Sequence, residues 1–548
     1  MASALSGNDH GVVSRIGQVI HSFAAFVEKH KVLVVSCYSL LFLTICTLLA
    51  ATRPMWYDEM ATYYPAKLPT VGALVDFFWK ALDMHTPAAS LAVRGAIALF
   101  GDNPVAARLP MMLGFLVFSI SIFIFVAARC PAVYALAAMI FPAVTLMFYY
   151  STEMRCYGLV LGMAGLALVC WQAAADGRRR RLALAGLLVS LVGVVCCHYY
   201  AIFLWIPLGL AELTRTWIRK RIDWPIWSVL LASPLVLLVF LTPIRLARNT
   251  YAAGMFSKPH WSDIARSYQS LLGISDLPIL GIAILCLLLG PRFSRAVPGW
   301  VAPPLADWVL AVSLSLLPAF VVPASFLTGA YFDRYSLSCA AGVAILLVFA
   351  LCQAMRGDRV VATLLALGLL GWFVFKSVPQ ARAQAFENGG LSTPVGQSFR
   401  TAGWVRELER SQLPIAASGA LFYMQLQYYA PGPVRRRVYY LADAQMELRY
   451  EGASSTDITL PRFRQALPLQ VVDFHEFVSR TPHFLLCLDT AWPYWLSSAL
   501  LDGGAQLRLL NQSDPFSVYE VNMPPQASPP VTTPGAGKDA SGPTRRRK

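Results

Sequence analysis

The chain has 548 residues, 57% of them hydrophobic and only 14% charged, with a mean hydropathy of +0.54. A soluble domain is about a quarter charged, so this composition excludes an ordinary soluble protein. The net charge of +15 does not point to nucleic acid, because Arg and Lys fall in short runs between hydrophobic segments.

In chain order, residues 1–31 are mixed and weakly apolar, unlike a cleavable signal peptide, and predict a cytoplasmic N-terminal segment. About eleven stretches long enough to cross a bilayer as helices follow, making 32–376 a transmembrane domain. Their limits are 32–52, 107–127, 132–150, 157–175, 182–199, 201–214, 226–244, 271–290, 303–327, 336–354 and 360–376. The first reads as an uncleaved anchor. Alternate loops carry Arg129, then Arg178 to Arg181, then Arg215, Arg219, Lys220 and Arg221, then Arg292 and Arg295, then Arg356 and Arg359. Basic loops stay in the cytoplasm, which puts the opposite loops and everything after about residue 377 outside. Most of the 11 cysteines lie inside the spans and read as small apolar packing residues.

The first external loop, 53–106, holds the densest polar chemistry. Trp56-Tyr57-Asp58-Glu59 emerges directly from the first span, and His85-Thr86-Pro87 follows. Between them, apolar positions 71, 74, 75, 78, 79 and 82 have helical spacing and predict an amphipathic helix lying in the membrane interface. Carboxylates beside hydrocarbon are costly, so they point to chemistry more often than to packing. The short loop after the third span carries Glu153 and Arg155, which read either as site residues or as a local ion pair. His198 and Tyr199 stand at a span end. Arg245, Arg248, Lys258 and Arg266, interleaved with Tyr251, His260 and Trp261, mark the fourth external loop, and Arg334 and Tyr335 the fifth. External cations there fit a phosphate, an anionic acceptor or lipid head groups.

Residues 377–411 are polar and read as a linker. From 412 to 523, strands near 413–417, 438–441, 484–488, 507–510 and 518–521 and helices near 421–429 and 492–501 predict an extracytoplasmic α/β domain. The tail, 524–548, is rich in Pro, Ser, Thr and Gly and is expected to be disordered.

Trp56-Tyr57-Asp58-Glu59, His85-Thr86-Pro87, the run from Gly101 to Pro110, Tyr150 to Tyr157, His198-Tyr199-Tyr200 and Asp333-Arg334-Tyr335 together resemble the polyprenyl-phosphate-sugar-dependent glycosyltransferases of the GT-C fold. That group includes protein O-mannosyltransferases and the aminoarabinose transferase of lipid A. The resemblance covers roughly 30–350, with Thr86 standing where many relatives have Pro. It implies a multispanning α-helical membrane enzyme with an extracytoplasmic domain, in the inner membrane of a bacterial envelope. Such an enzyme moves a sugar from a polyprenyl-phosphate donor to a hydroxyl on an envelope glycan, lipid or protein, by direct inverting displacement.

That chemistry needs a base for the hydroxyl proton and positive charge for the departing phosphate. The expected base is Asp58, with Glu59 and Glu153 as further catalytic acids. His85, Arg155, Tyr157, His198, Tyr199, Arg334 and Tyr335 are expected to bind substrate. A divalent metal held by Asp58, Glu153 and His85 is open, because no spacing demands one. A transporter or lipid flippase is the alternative reading. It is disfavoured because the acids cluster in loops rather than at the midplane of the spans.

Overall fold

The computed structural model describes residues 18–252, 254, 257–273, 281, 284, 288, 297, 299–387, 399, 402–490, 494–513 and 515–524. Most of the expected span 271–290, the loop with Arg292 and Arg295, and the expected tail lie outside the described residues.

Among the described residues, seven helices are long and apolar enough to cross a membrane: Lys31–Thr52, Pro104–Ala127, Tyr157–Ala175, Arg180–Cys197, Tyr199–Arg219, Trp224–Tyr251 and Val360–Arg382. An eighth is the pair Leu305–Ser315 and Leu317–Thr328, bent by 48°. Two further expected spans are shorter apolar helices, Ala132–Val144 and Cys339–Ala354. The first of these stops early because Thr145 leaves the helical conformation and starts a 3-10 turn, Leu146–Ser151. The protein is thus a multispanning helical membrane protein.

Helices Pro104–Ala127 and Tyr157–Ala175 pack with almost no gap. A Cβ on Gly158 would lie 2.3 Å from the carbonyl oxygen of Met111, and one on Gly114 2.3 Å from that of Gly158. Close approach of this kind requires small residues and strengthens contacts between membrane helices. It also fixes the start of the second helix, which follows the Glu153–Arg155 segment directly.

The basic turns gather at one end of the bundle, where acids hold them. Arg129 donates to Asp307 at 2.6 Å and forks onto Asp176 at 2.8 and 3.0 Å. Arg215 reaches Asp223 at 2.9 Å, and Arg180 pairs with the same carboxylate.

The other end carries three loop helices, Tyr57–Ala66, Val71–Trp79 and Ala88–Phe100, and above them the α/β domain. Strands β1 (Ile415–Ala417), β2 (Val438–Ala442), β3 (Val471–Asp473), β4 (His483–Asp489), β5 (Gln506–Ser513) and β6 (Phe516–Asn522) form one sheet in the order β3-β2-β1-β4-β6-β5. The first four run parallel, and β6 and β5 add an antiparallel edge. Parallel pairing demands helical crossovers, which supplies helices at 444–451, 456–463 and 474–480.

Two expectations change. The stretch expected as a linker is helical at both ends: the last long helix runs on to Glu387, and Gly403–Arg410 is a helix. Its Trp404 is buried among Phe399, Phe422 and Phe516. The amphipathic helix Val71–Trp79 forms, capped by Thr70; Val71 and Trp79 of its apolar stripe are exposed, and the rest is taken up inside the protein. Leu74, Phe77 and Phe78 are buried, and Phe77 packs edge-on against Phe463 of the α/β domain at 5.2 Å between ring centres. The domain offers that face an apolar partner within the protein.

Candidate active site

The first-loop carboxylates are presented by a helix start. Trp56 is extended, and Asp58 and Glu59 occupy the first turn of Tyr57–Ala66, where the helix dipole favours negative charge. Neighbours on a helix point about 100° apart, so the two acids meet different surroundings.

Glu59 is fully buried. Its carboxylate accepts from Arg108 Nε and Nη2 at 2.7 Å each, from Arg53 Nη2 at 3.3 Å, and from the amides of Trp56 and Met154 at 3.3 and 2.9 Å. Burial pushes this carboxyl up, but the Arg108 charge and the other donors more than reverse the effect and hold it below the ordinary value. Expected among the catalytic acids, Glu59 has every acceptor position occupied. It ties the end of the first span to the loop and to the segment before Tyr157.

Asp58 is free where Glu59 is saturated. Its Oδ2 lies 3.7 Å from Arg155 Nη2 and 3.5 Å from Arg334 Nη2. That oxygen is buried and has no hydrogen-bond partner among the described residues. Glu153 stands beside it, accepting from Trp56 Nε1 at 3.1 Å through Oε1, while Oε2 is buried and unpartnered among the described residues. Burial pushes the Glu153 carboxyl up. Arg155 opposes the rise and Asp58 adds to it, and the result is about 7.

Arg155 does not form the local pair with Glu153 that spacing left open. Its Nη1 donates to the Asp58 carbonyl at 3.0 Å, and its Nη2 donates to His85 Nε2. The other ring nitrogen, Nδ1, lies 2.8 Å from Asp83 Oδ1. A guanidinium only donates and a carboxylate only accepts, so His85 carries its proton on Nδ1 and accepts at Nε2. Burial pushes the Asp83 carboxyl up, and His85, Arg155 and the Met84 amide outweigh it, leaving it below its ordinary value. Asp83, which sequence reasoning missed, thus anchors a chain running Asp83, His85, Arg155, Asp58.

This chain engages two of the residues expected to hold a metal. Both His85 nitrogens are engaged, and the Arg155 guanidinium fills the space between His85 and Asp58. No three His, Cys, Asp or Glu side chains among the described residues are grouped to share an ion. The trio Asp58, Glu153 and His85 therefore does not fit a divalent cation: two acids face two guanidiniums, whose charge repels one.

Beside Arg334 lies a narrow aromatic groove, lined by Tyr157, His198, Tyr200, Arg334 and Tyr335 with Leu204 and Val194. Tyr200 stacks on Tyr335 at 4.2 Å, and His198 lies 4.9 Å from Tyr335 and 5.8 Å from Tyr157. Arg334 sits over the rings of Phe332 and Tyr157 at 4.4 and 5.7 Å. The Tyr157 hydroxyl is buried without a partner among the described residues. Tyr199, expected here, packs instead on Phe240 at 5.6 Å, and Tyr200 takes the groove position. The 3-10 turn Tyr199–Leu204 chooses between them, and adjacent tyrosines offer no sequence signal for that choice.

The cations of the fourth external loop stand apart. Arg245, Arg248 and Lys258 are exposed, Arg266 pairs with Asp263 at 2.7 Å, and the Tyr251 hydroxyl donates to the Leu82 carbonyl at 2.7 Å.

A bundle of apolar helices with loop helices and an α/β domain over the acid-bearing end defines a membrane protein of the GT-C fold. Among solved structures, the chain is similar to ArnT from Cupriavidus metallidurans in the apo state, with a TM-score of 0.55 and 13% identity over 88% of this chain and 98% of that one. It is equally similar to ArnT from the same organism bound to undecaprenyl phosphate: TM-score 0.55, 12% identity, 91% of this chain and 99% of that one. At these identities the likeness shows a shared fold. No family model matches the chain, and no curated protein matches it in sequence.

Proposed function

We propose that this protein is a glycosyltransferase that moves a sugar from a polyprenyl-phosphate donor to a hydroxyl of an envelope acceptor, acting at the outer face of a bacterial inner membrane. The observation that carries the reading is Asp58 Oδ2: a buried carboxylate oxygen with no hydrogen-bond partner among the described residues, bracketed by two guanidiniums, one of which lines an aromatic groove. Charged groups left unsatisfied out of water are costly and concentrate at functional sites. A structural relative binds undecaprenyl phosphate, a lipid of the donor's class, which supports the donor assignment.

In this reading the donor phosphate lies against Arg155 and Arg334, with the Tyr157 hydroxyl donating to it. The isoprenoid chain follows the groove past Tyr200 and Tyr335. Asp58 takes the proton of the acceptor hydroxyl as its oxygen attacks the anomeric carbon. The new carbon–oxygen bond forms, the bond to phosphate breaks with its electron pair leaving on the phosphate, and the centre inverts. The guanidiniums stabilise the departing charge, in a site where water is scarce and such interactions are strong. Glu59 does not take part; it positions the Asp58 helix.

The test is Asp58→Asn in cells. Loss of a general base costs about 10²–10⁴-fold in rate. The envelope glycan mass seen in the parent should be absent from the variant while the amount of folded protein is unchanged. Unchanged transfer would remove Asp58 from the mechanism.

A further inference from the structure

The cations around the end of the Trp224–Tyr251 helix have no task in the chemistry proposed above. That helix has 28 residues, whereas about 20 cross the hydrocarbon of a bilayer. Its 3-10 stretch, Ser233–Phe240, rises more steeply than an α-helix, so its last turns reach beyond hydrocarbon into the head-group layer. Before that level its exposed side chains include Leu231, Leu235, Leu238, Val239 and Leu241. Arg245 and Arg248 follow, both exposed and three positions apart, which makes them neighbours on the helix surface. The helix ends at the site-bearing side of the molecule. The Tyr251 hydroxyl donates to the Leu82 carbonyl at 2.7 Å, and the Ser454 amide of the α/β domain donates to the Gly254 carbonyl at 3.2 Å.

The next stretch adds an interfacial anchor. Lys258 is exposed, and Trp261, 66% exposed, rests on the exposed Phe326 at 5.1 Å between ring centres. An exposed Trp at the end of a span suits the membrane interface, where one edge of its ring is wet and the rest apolar. The Tyr331 amide holds this stretch by donating to the Ser257 carbonyl at 3.0 Å. Charge balance then separates the two ends of the bundle. At the opposite end, Arg129 is paired with Asp176 and Asp307, and Arg180 and Arg215 with Asp223. The side chains of Arg245, Arg248 and Lys258 have no hydrogen bond or ion pair among the described residues. Asp263 is the only acid of residues 241–272, and it is buried and held by Arg266 at 2.7 Å and by the His260 amide at 2.8 Å. Unpaired cations at head-group depth, beside hydrocarbon and an interfacial Trp, are complementary to an anionic lipid.

We propose that the end of the Trp224–Tyr251 helix and the stretch 257–261 bind an anionic phospholipid of the surrounding leaflet, a lipid that is neither sugar donor nor acceptor. Its phosphate meets Arg245 and Arg248, whose forked donors match phosphate oxygens. Its acyl chains lie along Leu238 and Leu241, and Lys258 and Trp261 hold the head-group layer beside it. The site neutralises cations that the protein itself leaves unpaired. It requires only that the chain crosses a bilayer, and so stands apart from the glycosyltransferase reading.

The experiment titrates the full chain, stripped of lipid in detergent, with phosphatidylglycerol or with phosphatidylcholine of the same acyl chains, and reads bound lipid by native mass spectrometry. Phosphatidylglycerol should bind more tightly. The double variant Arg245→Gln, Arg248→Gln should weaken it roughly 25-fold, about fivefold for each cation near an anionic lipid, and leave phosphatidylcholine unchanged. Raising the salt tenfold should weaken phosphatidylglycerol binding to wild type and have little effect on the double variant. Both arginines are exposed, so the lipid-free unfolding temperature should be the same in wild type and variant, while phosphatidylglycerol should raise it in wild type alone. Equal binding of the two lipids, or phosphatidylglycerol binding that ignores the double variant, overturns the site. Competition by undecaprenyl phosphate or lipid A, with the double variant weakening that competitor by the same factor, would give these cations to a substrate and overturn it as well. In either case the glycosyltransferase reading stands or falls separately, on transfer by Asp58→Asn in cells.

Discussion

At the scale of single residues, two neighbouring acids have opposite fates, and mutation should separate them. Glu59→Gln leaves the buried Arg108 guanidinium without its counter-charge, a loss of about 3–5 kcal/mol. Little folded protein should survive, seen as a lowered unfolding temperature or a loss of yield, whereas Asp58→Asn should fold normally. A Glu59→Gln variant as stable as wild type would show that the pair contributes little. Glu153 gives a pH signature. Its folded value of about 7 lies above the ordinary 4.5, so the native state holds this proton more tightly than the unfolded chain does. No penalty exists below about pH 4.5; it grows as pH rises toward 7 and is constant above, on the order of a few kcal/mol. Glu153→Gln should therefore unfold at a higher temperature than wild type above pH 7, and the gap should close as pH falls toward 4.5. A gap independent of pH would mean that burial does not perturb this carboxyl.

At the scale of elements, the site depends on two packings. The glycine contact between Pro104–Ala127 and Tyr157–Ala175 sets where the Glu153–Arg155 segment begins. Gly158→Ala meets backbone rather than a flexible side chain, so the helices must separate, at about 1–3 kcal/mol for overpacking. Thermal unfolding in detergent should show the loss, and transfer should fall with it, because Arg155 moves relative to Asp58. The second packing is the α/β domain on the loop helices. Tyr429 accepts from the Met55 amide at 3.0 Å and Gln425 donates to the Met55 carbonyl at 2.8 Å, directly before Trp56. Phe463→Ala should open the seam with Phe77, seen as faster cleavage of the 66–71 connection by protease with the transmembrane bundle intact.

At the scale of the whole molecule, charge and chemistry are segregated. Cationic turns and their acid partners occupy one end, and Asp58, Glu153, Arg155 and Arg334 occupy the other. The α/β domain packs on that second end, through Met55 and through Phe77.

Hydrophobic run length alone determined that the chain crosses a membrane many times, since backbone groups in lipid must be satisfied within each segment. The same local reasoning located the carboxylates just past the first span and found most strands of the α/β domain, because period-two alternation is a property of neighbours. Roles within the site were another matter. Whether Asp58 or Glu59 is saturated with donors, whether Tyr199 or Tyr200 faces the groove, and whether His85 meets Arg155 depend on groups that approach from distant parts of the chain, on helix starts and 3-10 turns whose rotation no spacing encodes. The amphipathic helix Val71–Trp79 makes the same point: its apolar stripe was legible, but the surface that covers it was chosen by Phe463, nearly four hundred residues later.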